Sequence, residues 1–399
     1  MVTATMWSEH QLKDSYDVVI IGGGVHGLAT AYYLTQLGVR NIAVLEAKYL
    51  GFGGSGRNTA IIRSNYRTPE GIAFYDLSVK LYEQLAAELN FNVMFSQHGH
   101  LTLAHNERGV VGLTERANTN QLLGIDSRVI FPDQIKQFVP DLNVFGHCRF
   151  PIMAALYHPP GGIIRHDAVV WGYARAADRG GAHIHQRTEV TEIDVRDGAV
   201  QGVLTNRGRI KTGVVLNATA GYASVVGKMA GLEIPVETHP LQACVTEPLK
   251  PFLHAVIVSS TLHVYVSQTD RGELVLGAEM DDYASYSLRG TLSFLEGAAL
   301  HLLELFPMLA SVKVLRQWGG LCDMTPDYSP IMGGTSDVRG FYMTVGWGTY
   351  GFKAGPASGK LMAELIHTGK TPPLLEPFSL DRFHEDRLVG EKAAASVSH

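Results

Sequence analysis

Residues 17–46, DVVIIGGGVHGLATAYYLTQLGVRNIAVLE, constrain the fold of this chain more than any other stretch. An uninterrupted apolar run over 18–21 is typical of a strand that is buried on both faces. Apolar residues at helical spacing then predict a helix over 25–36, which Gly38 ends. A second strand is predicted over 41–45. The order of these elements indicates a βαβ unit at the start of the fold.

Three glycines follow the first strand in the spacing G-x-G-x-x-G. Gly22 permits a tight turn, Gly24 lets the backbone approach a pyrophosphate, and Gly27 lets the helix pack closely on the strand. The helix N-terminus offers N–H groups to the phosphates. Glu46 can accept a hydrogen bond from a ribose hydroxyl, which favours FAD or NAD over NADP. The alternative is a buried βαβ unit whose glycines are ordinary turns, but the correctly spaced strands, helix and acid favour dinucleotide binding.

The composition argues against several other classes of protein. A length of 399 residues is too large for one ordinary core and predicts two domains. A net charge of −5 without a Lys/Arg run argues against nucleic-acid binding. The sequence has no apolar stretch long enough to cross a bilayer and no signal-peptide pattern. Three scattered cysteines without a C-x-x-C pair are typical of a reducing cytosol. We therefore expect a cytoplasmic protein that binds neither nucleic acid nor membrane and holds no metal.

A second glycine-rich stretch, GFGGSGRNTAIIR over 51–63, directly follows the strand that carries the acid. A flexible loop is the simplest interpretation. Its position also suits a second loop that contacts the phosphates and the rest of the cofactor. The hydrogen-bond donors expected to do so are Ser55, Arg57, Asn58 and Thr59.

The remaining segments predict a discontinuous domain organisation. A mostly apolar strand over 213–220 fits back into the first sheet, whereas 238–318 is rich in strand patterns around one helix. The predicted class is α/β, a Rossmann-like dinucleotide-binding domain interleaved with an α+β substrate domain built on an antiparallel sheet. The first domain is assigned to 1–93, 151–228 and 324–399, and the second to 94–150 and 229–323.

Longer motifs carry a resemblance that covers nearly the whole chain. They are GGGVHGLATAYYL, RNTAIIRSNY, RHDAVVWGYA, VLRQWGGLCDMTPDYSPIMG, GWGTYGFKAGP and EDRLVGEKAAASV. In these motifs the chain resembles the FAD-dependent amine and amino-acid oxidases and, within that family, the β subunits of heterotetrameric sarcosine oxidases. The resemblance implies an FAD-binding domain interleaved with a substrate domain on an antiparallel sheet.

The resemblance also implies a reaction and partners. Sarcosine, or a similar small secondary amine, would lose a hydride equivalent from its N-methyl carbon to FAD, giving glycine and formaldehyde after hydrolysis. With tetrahydrofolate, the one-carbon unit would become methylene-tetrahydrofolate in a companion subunit. Electrons would pass from FAD to a covalent FMN and then to O2, which yields H2O2. The partners would be the α, γ and δ subunits of the heterotetramer.

Two cations stand where relatives bind the substrate carboxylate, namely Arg63 in AIIRSNY and Lys353 in YGFK. A guanidinium can hold a carboxylate through two parallel bonds, and a lysine adds a compact second charge. The alternatives are a surface ion pair for Arg63 and a phosphate or solvent contact for Lys353. We expect both to anchor the substrate.

His166, in RHD, stands where the resemblance places the covalent FMN. The alternative is a capping or surface histidine, and His158 is the rival attachment site. Gly320 occupies the position at which single-chain sarcosine oxidases bond FAD to a cysteine, and Cys322 is two residues too late. The resemblance therefore implies non-covalent FAD.

The stretch GWGTYGFK precedes the last predicted helix and is expected to contact the cofactor through Gly348, Gly351 and Phe352. Backbone N–H groups of 348–353 would face negative charge on the reduced flavin. We expect no dedicated base, because burial alone lowers the pKa of an amine.

Three other functions remain open from the sequence. A proline, N-methyl amino-acid or opine dehydrogenase of the same fold would share these motifs. A flavin-binding scaffold without activity would leave Arg63 and Lys353 without a role. The glycine motif alone is also compatible with an NAD-dependent dehydrogenase.

Overall fold

The computed structural model describes residues 5–146 and 148–391, so the ends of the assigned domains at 1–4 and 392–399 lie outside the described residues. Within these ranges the helices are α1 (Val25–Gln36), α2 (Pro69–Leu89), α3 (Glu107–Leu122), α4 (Pro132–Phe138), α5 (His166–Arg179), α6 (Ala223–Met229), α7 (Leu292–Leu305) and α8 (Gly351–Thr368).

The strands of the first half of the chain are short. They are β1 (Val18–Ile21), β2 (Ile42–Glu46), β3 (Ile61–Ile62), β4 (His100–Ala104), β5 (Arg128–Ile130), β6 (Ala154–His158), β7 (Gly162–Ile163), β8 (His183–Gln186) and β9 (Val190–Arg196). The later strands are β10 (Ala199–Thr205), β11 (Gly208–Lys211), β12 (Val215–Asn217), β13 (Glu237–Pro248), β14 (Val256–Ser259), β15 (Val264–Gln268), β16 (Glu273–Met280), β17 (Val314–Met324), β18 (Ile331–Gly334) and β19 (Phe341–Val345).

The predicted βαβ unit lies at the centre of a sheet with the strand order β18-β19-β12-β1-β2-β8. All neighbours in it are parallel except the β18–β19 pair. Every residue of β1 is buried, because both faces of this sheet are covered. Helices cover one face. The three-stranded sheet of β9, β10 and β11 packs with α6 on the other face. Two covered faces explain the uninterrupted apolar run that predicted the strand.

The second large sheet has the order β17-β13-β16-β15-β14-β4-β6-β5 and is antiparallel apart from the β4–β14 pair. Helix α7 packs on it through Leu302 and Leu305. The predicted class, a Rossmann-like domain interleaved with an α+β domain on an antiparallel sheet, is confirmed. The exact domain boundaries stay a prediction. Residues of β6, assigned to the nucleotide-binding part, pair with β4 and β5 in this second sheet.

Helices α1 and α8 pack so closely that their backbones are almost in contact. A Cβ on Gly355 would come within 2.4 Å of the Val25 side chain, so this contact requires glycine. The close approach places the N-termini of α1 and α8 side by side. No helix in the described part of the chain is long and apolar enough to cross a membrane.

Candidate active site

A cleft of about 450 Å³ lies between the two large sheets. On one side it is lined by the residues that follow β1 and β2, and on the other by residues of β13, β14, β15 and β17. The carboxyl ends of parallel strands are the usual place for a ligand in such a sheet. All of the predicted site residues line this cleft except Gly27 and His166.

The glycine turn between β1 and α1 forms the floor of the cleft. Gly22 has a φ of +116°, and a Cβ there would lie 2.4 Å from the carbonyl oxygen of Ala218. Gly24 is the N-cap of α1, and no side chain of its own caps the helix. A Cβ on Gly27 would lie 2.1 Å from the carbonyl oxygen of Gly22, so Gly27 permits the turn without lining the cleft.

The carboxylate of Glu46 closes the same turn. It accepts hydrogen bonds from the N–H groups of Gly23 and Lys48, both at 2.8 Å. Burial is the main cause that raises the pKa of Glu46, against the lowering effect of these bonds. Its remaining lone pairs are available to a ribose hydroxyl.

The second glycine-rich stretch folds onto the N-terminus of α1. The hydroxyl of Ser55 accepts from the Val25 N–H at 2.9 Å, which satisfies one donor at the start of the helix. Asn58 holds its own loop by donating to the Ser55 carbonyl and accepting from the Ala60 N–H at 2.6 Å. Thr59 and Tyr265 of β15 both line the cleft, and Thr59 counteracts the burial that raises the pKa of Tyr265.

Arg57 lies at the rim of the cleft between the two sheets. Its guanidinium lies 4.3 Å from the centre of the Phe52 ring. Its carbonyl oxygen accepts from the indole N–H of Trp318, on β17, at 2.8 Å. Burial lowers the pKa of Arg57 from its usual range.

Arg63 directly follows β3, which pairs with β7, and it lines the cleft. Its side chain is buried, and it donates to the carbonyl and side-chain oxygens of Asn65 at 3.2 and 3.0 Å. The guanidinium lies 4.4 Å from the centre of the Tyr66 ring. The surface ion pair that the sequence left open for Arg63 does not fit this burial.

Lys353 lies in the first turn of α8. Burial, with a further contribution from the Arg63 charge, lowers the pKa of Lys353 to about 7. Its ammonium group donates to the Thr349 carbonyl at 3.4 Å and lies 5.9 Å from the centre of the Tyr350 ring. The two predicted cations therefore lie in one cleft, and the Arg63 charge helps to lower the pKa of Lys353.

The loop before α8 is held from below by Asp323. Its carboxylate accepts from the Gly346 N–H at 2.6 Å, and its carbonyl accepts from the Gly348 N–H at 3.0 Å. The N–H of Gly348 is thus already bonded within the protein, whereas the sequence predicted that it would face negative charge on the reduced flavin. The N–H groups of Gly351, Phe352 and Lys353, in the first turn of α8, have no acceptor one turn earlier in the helix.

His166 is the first residue of α5 and lies outside the cleft, between the paired side chains of Arg165 and Asp167. Burial lowers the pKa of His166, so its imidazole is neutral at neutral pH. The rival His158 is fully buried and bonded at both ring nitrogens, to the Asp126 carbonyl at 2.8 Å and the Ser64 N–H at 3.2 Å. Of these two histidines, His166 is the more accessible to a second flavin.

The family model for FAD dependent oxidoreductases matches residues 17–365 of this chain. This chain belongs to that family. The expected resemblance to sarcosine oxidase β subunits is also confirmed. The proteins named sarcosine oxidase subunit beta from Rhodobacter capsulatus and Arthrobacter are 45% and 44% identical to it. The alignments cover 98% and 99% of this chain and 94% and 97% of those relatives.

Solved structures share the fold of this FAD-dependent oxidoreductase. An L-proline dehydrogenase from P. horikoshii is 29% identical with a TM-score of 0.89, over 94% of this chain and 100% of that one. A glycine oxidase from Bacillus cereus is 23% identical with a TM-score of 0.81, over 95% and 100% of the two chains.

The buried polar atoms of the cleft fit the FAD that the family binds. His26 and Trp347, which stack with ring centres 4.3 Å apart, both line it. The Nε2 atom of His26 and the Nε1 atom of Trp347 are buried without a hydrogen-bond partner in the described structure, as is Nδ1 of His100. Buried polar atoms are normally bonded, so partners from a ligand in the cleft would satisfy them.

Sequence reasoning missed His100, Asp323 and Arg116. His100, at the start of β4, lines the cleft, and burial and the Arg63 charge keep its pKa well below the usual value. Arg116 is buried behind Arg63 and donates to the same Asn65 carbonyl at 2.7 Å. Burial lowers the pKa of Arg116 to about 9. A polar residue within an apolar strand is a sequence signal for His100 and Asp323. The amphipathic helix α3 carries no such signal for Arg116.

Proposed function

We propose that this chain is the FAD-carrying β subunit of a sarcosine oxidase that assembles with α, γ and δ subunits. The reaction is oxidation of the N-methyl group of sarcosine to give glycine, formaldehyde or methylene-tetrahydrofolate, and H2O2. The observation that carries the proposal is the presence of two cations, the buried Arg63 and the partly buried Lys353, in the cleft that the dinucleotide motif forms. The identity of 44–46% to three sarcosine oxidase β subunits supports it.

The two cations suit a small amino acid. A substrate carboxylate bonded to Arg63 and Lys353 would be fixed at one end, which leaves only a few orientations for the N-methyl group. FAD, when bound in the cleft, supplies a two-electron acceptor for the C–H bond. The N–H groups at the start of α8, which have no acceptor one turn earlier in the helix, would stabilise negative charge that develops in the cleft.

The protein also controls the proton on the amine. A secondary ammonium ion must lose its proton before its C–H bond can be oxidised. Burial in the cleft beside Arg63 and Lys353 lowers the amine pKa, since desolvation and like charges both disfavour the cation. His100 is held neutral by the same surroundings and adds no positive charge.

A second flavin, FMN, is assigned to His166. Its neutral imidazole supports this assignment, because an unprotonated ring nitrogen is needed to bond a flavin. Mass spectrometry of the denatured chain, taken from the active complex, tests it. An adduct of FMN mass on the peptide that contains His166 is expected, and an unmodified peptide would reject the two-flavin assignment.

The reaction is tested by steady-state oxidation of sarcosine, proline and N-methylglutamate by the whole complex, with and without oxygen. Sarcosine is expected to give the highest kcat/KM, together with H2O2 when oxygen is present. Absence of peroxide from sarcosine would reject the oxidase. A visible absorption spectrum separately distinguishes a flavoprotein from an NAD-dependent enzyme.

The second candidate is an FAD-dependent dehydrogenase of proline, N-methyl amino acids or opines. The fold similarity to the L-proline dehydrogenase, at 29% identity, supports it. Such an enzyme would oxidise proline or N-methylglutamate faster than sarcosine and would form no peroxide. We also propose a cytoplasmic location, which the free thiols of Cys148, Cys244 and Cys322 favour.

A further inference from the structure

A stack of buried tyrosines lies beneath the two cations of the cleft. Tyr66 and Tyr75 are parallel, with ring centres 3.9 Å apart. The Tyr350 ring meets the edge of Tyr66 at 5.4 Å. Each of these rings is at least 97% buried, since their exposed fractions are 0%, 2% and 3%. We call Tyr66, Tyr75 and Tyr350 the tyrosine trio.

Each cation lies on one ring of the trio. The Arg63 guanidinium is 4.4 Å from the centre of Tyr66, and the Lys353 ammonium is 5.9 Å from the centre of Tyr350. A cation within about 6 Å of a ring face is attracted by its quadrupole, the more so when both are desolvated. Because Tyr66 and Tyr350 touch, the positions of the two cations are coupled through the rings.

The C-terminal segment closes the trio from the far side. Glu391 is 2% exposed, and its carbonyl oxygen accepts from the Tyr350 hydroxyl at 3.4 Å. Its carboxylate accepts from the Thr68 N–H at 3.0 Å, the Thr68 hydroxyl at 2.9 Å and the Arg67 N–H at 3.1 Å. These bonds fix the N-terminus of α2, the helix that carries Tyr75.

A second contact anchors the same segment. The buried carboxylate of Asp327 bonds Arg382 at 2.8 and 2.9 Å and also accepts from the Val389 N–H at 3.1 Å. Residues 382–391 are therefore bonded at both ends, and these bonds fix the position of Glu391 next to the trio.

We propose that Tyr66 and Tyr350 are positioning residues that set the spacing of Arg63 and Lys353 for a substrate carboxylate, and that Glu391 holds them in place. This inference rests on the proposed function, because it assumes that a carboxylate binds the two cations. Neither tyrosine touches the reacting atoms in this scheme.

The test uses the FAD-loaded complex and two probes that cannot be oxidised as amines. One is 2-methoxyacetate, which replaces the sarcosine nitrogen by an ether oxygen and keeps the carboxylate. The other is the uncharged 2-methoxyacetamide. Their dissociation constants follow from the change in the visible flavin spectrum, so no turnover is required.

The variants Tyr66→Leu and Glu391→Ala are expected to weaken 2-methoxyacetate about tenfold while the binding of 2-methoxyacetamide changes by less than about twofold. Matched controls are Tyr66→Phe, which removes a hydroxyl without a partner in the described structure, and Glu385→Ala, which changes an exposed carboxylate of the same segment. Both controls are expected to bind the two probes like the wild type.

Equal weakening of both probes, or wild-type binding of 2-methoxyacetate in the loaded fraction, would overturn the proposal and leave the trio as core packing. If Glu391→Ala does not fold, Tyr350→Phe tests the same link, because it keeps the ring and loses the bond to Glu391. A wild-type complex that does not oxidise sarcosine would refute the proposed function instead, and the two failures are thus distinguishable.

Discussion

The two ends of the cleft are built in different ways. At the dinucleotide end, the turn of Gly22, the acid Glu46 and the hydroxyl of Ser55 all come from one continuous stretch around α1. At the carboxylate end, Arg63 and Lys353 come from opposite ends of the chain. The segments around them are bonded by residues from elsewhere in the chain, including Asp323 of β17 and Glu391 near the C-terminus.

The difference shows which kind of site a sequence can reveal. A turn whose contacts are close in sequence must keep its residues at fixed spacing, so it appears as a motif. Two cations that come together from residues 63 and 353 have no such spacing. The two ends are also expected to fail separately, because they share few supports, and substitutions at each end test that independence.

The largest effect is expected from Gly22→Ala. Its Cβ would lie 2.4 Å from the Ala218 carbonyl in a residue with φ of +116°, so the turn must move and the dinucleotide end is lost. We expect purified protein with little or no FAD, measured by its visible absorption. The control is Gly38→Ala, which has a φ of +91° but, apart from its two chain neighbours, no atom of the described residues within 4 Å of the added Cβ. Full FAD content in Gly22→Ala would show that the turn is not essential.

Arg63→Met should have the opposite signature, with FAD retained and substrate recognition lost. Truncating one partner of a buried charge pair typically costs several kcal/mol, which corresponds to about a thousandfold loss of kcat/KM for sarcosine. The matched control is Arg67→Met, four residues on and exposed. If Arg63→Met lost FAD as well, the two ends of the cleft would not be independent.

The contrast between the ends also explains what the sequence could predict. The βαβ unit, the turn and Glu46 followed from local patterns, and β1, α1 and β2 begin and end within a residue of their predicted bounds. Arg63 and Lys353 were named only through the resemblance, since nothing near them in sequence marks them. Arg116 and Glu391 were missed because their roles depend on contacts across 51 and more than 300 residues. The bonded N–H of Gly348 was missed for the same reason, as its acceptor belongs to β17.

A smaller effect, on pH dependence, is expected from Lys353. With a pKa lowered to about 7, its amine loses the proton as the pH rises through neutrality, and the attraction for an anion falls. The dissociation constant of 2-methoxyacetate should rise about tenfold between about pH 6 and about pH 8.5 in the wild type. In Lys353→Met the dissociation constant should be higher and independent of pH over this range. Lys360 is exposed on the same helix, and Lys360→Met should behave like the wild type.

The smallest effect is expected from Asp323→Asn, beneath the loop that leads into α8. Burial raises the pKa of Asp323 from 3.8 to about 6, so the folded protein holds this proton at a pH where the unfolded chain has released it. The stability that this group contributes is fully present below about pH 4 and is lost as the pH rises through about 6.

The Asp323→Asn substitution removes this titration and keeps an acceptor for the Gly346 N–H. The difference in Tm, wild type minus Asp323→Asn, should therefore fall by a few degrees between about pH 4 and about pH 6.5. The two proteins are compared at equal FAD content. The exposed Asp337→Asn serves as the control and should show no such trend. A constant difference in Tm across this range would mean that Asp323 is ionised throughout. The loop at the carboxylate end would then rest on a charged carboxylate, whose bonds to the backbone outweigh the cost of its burial.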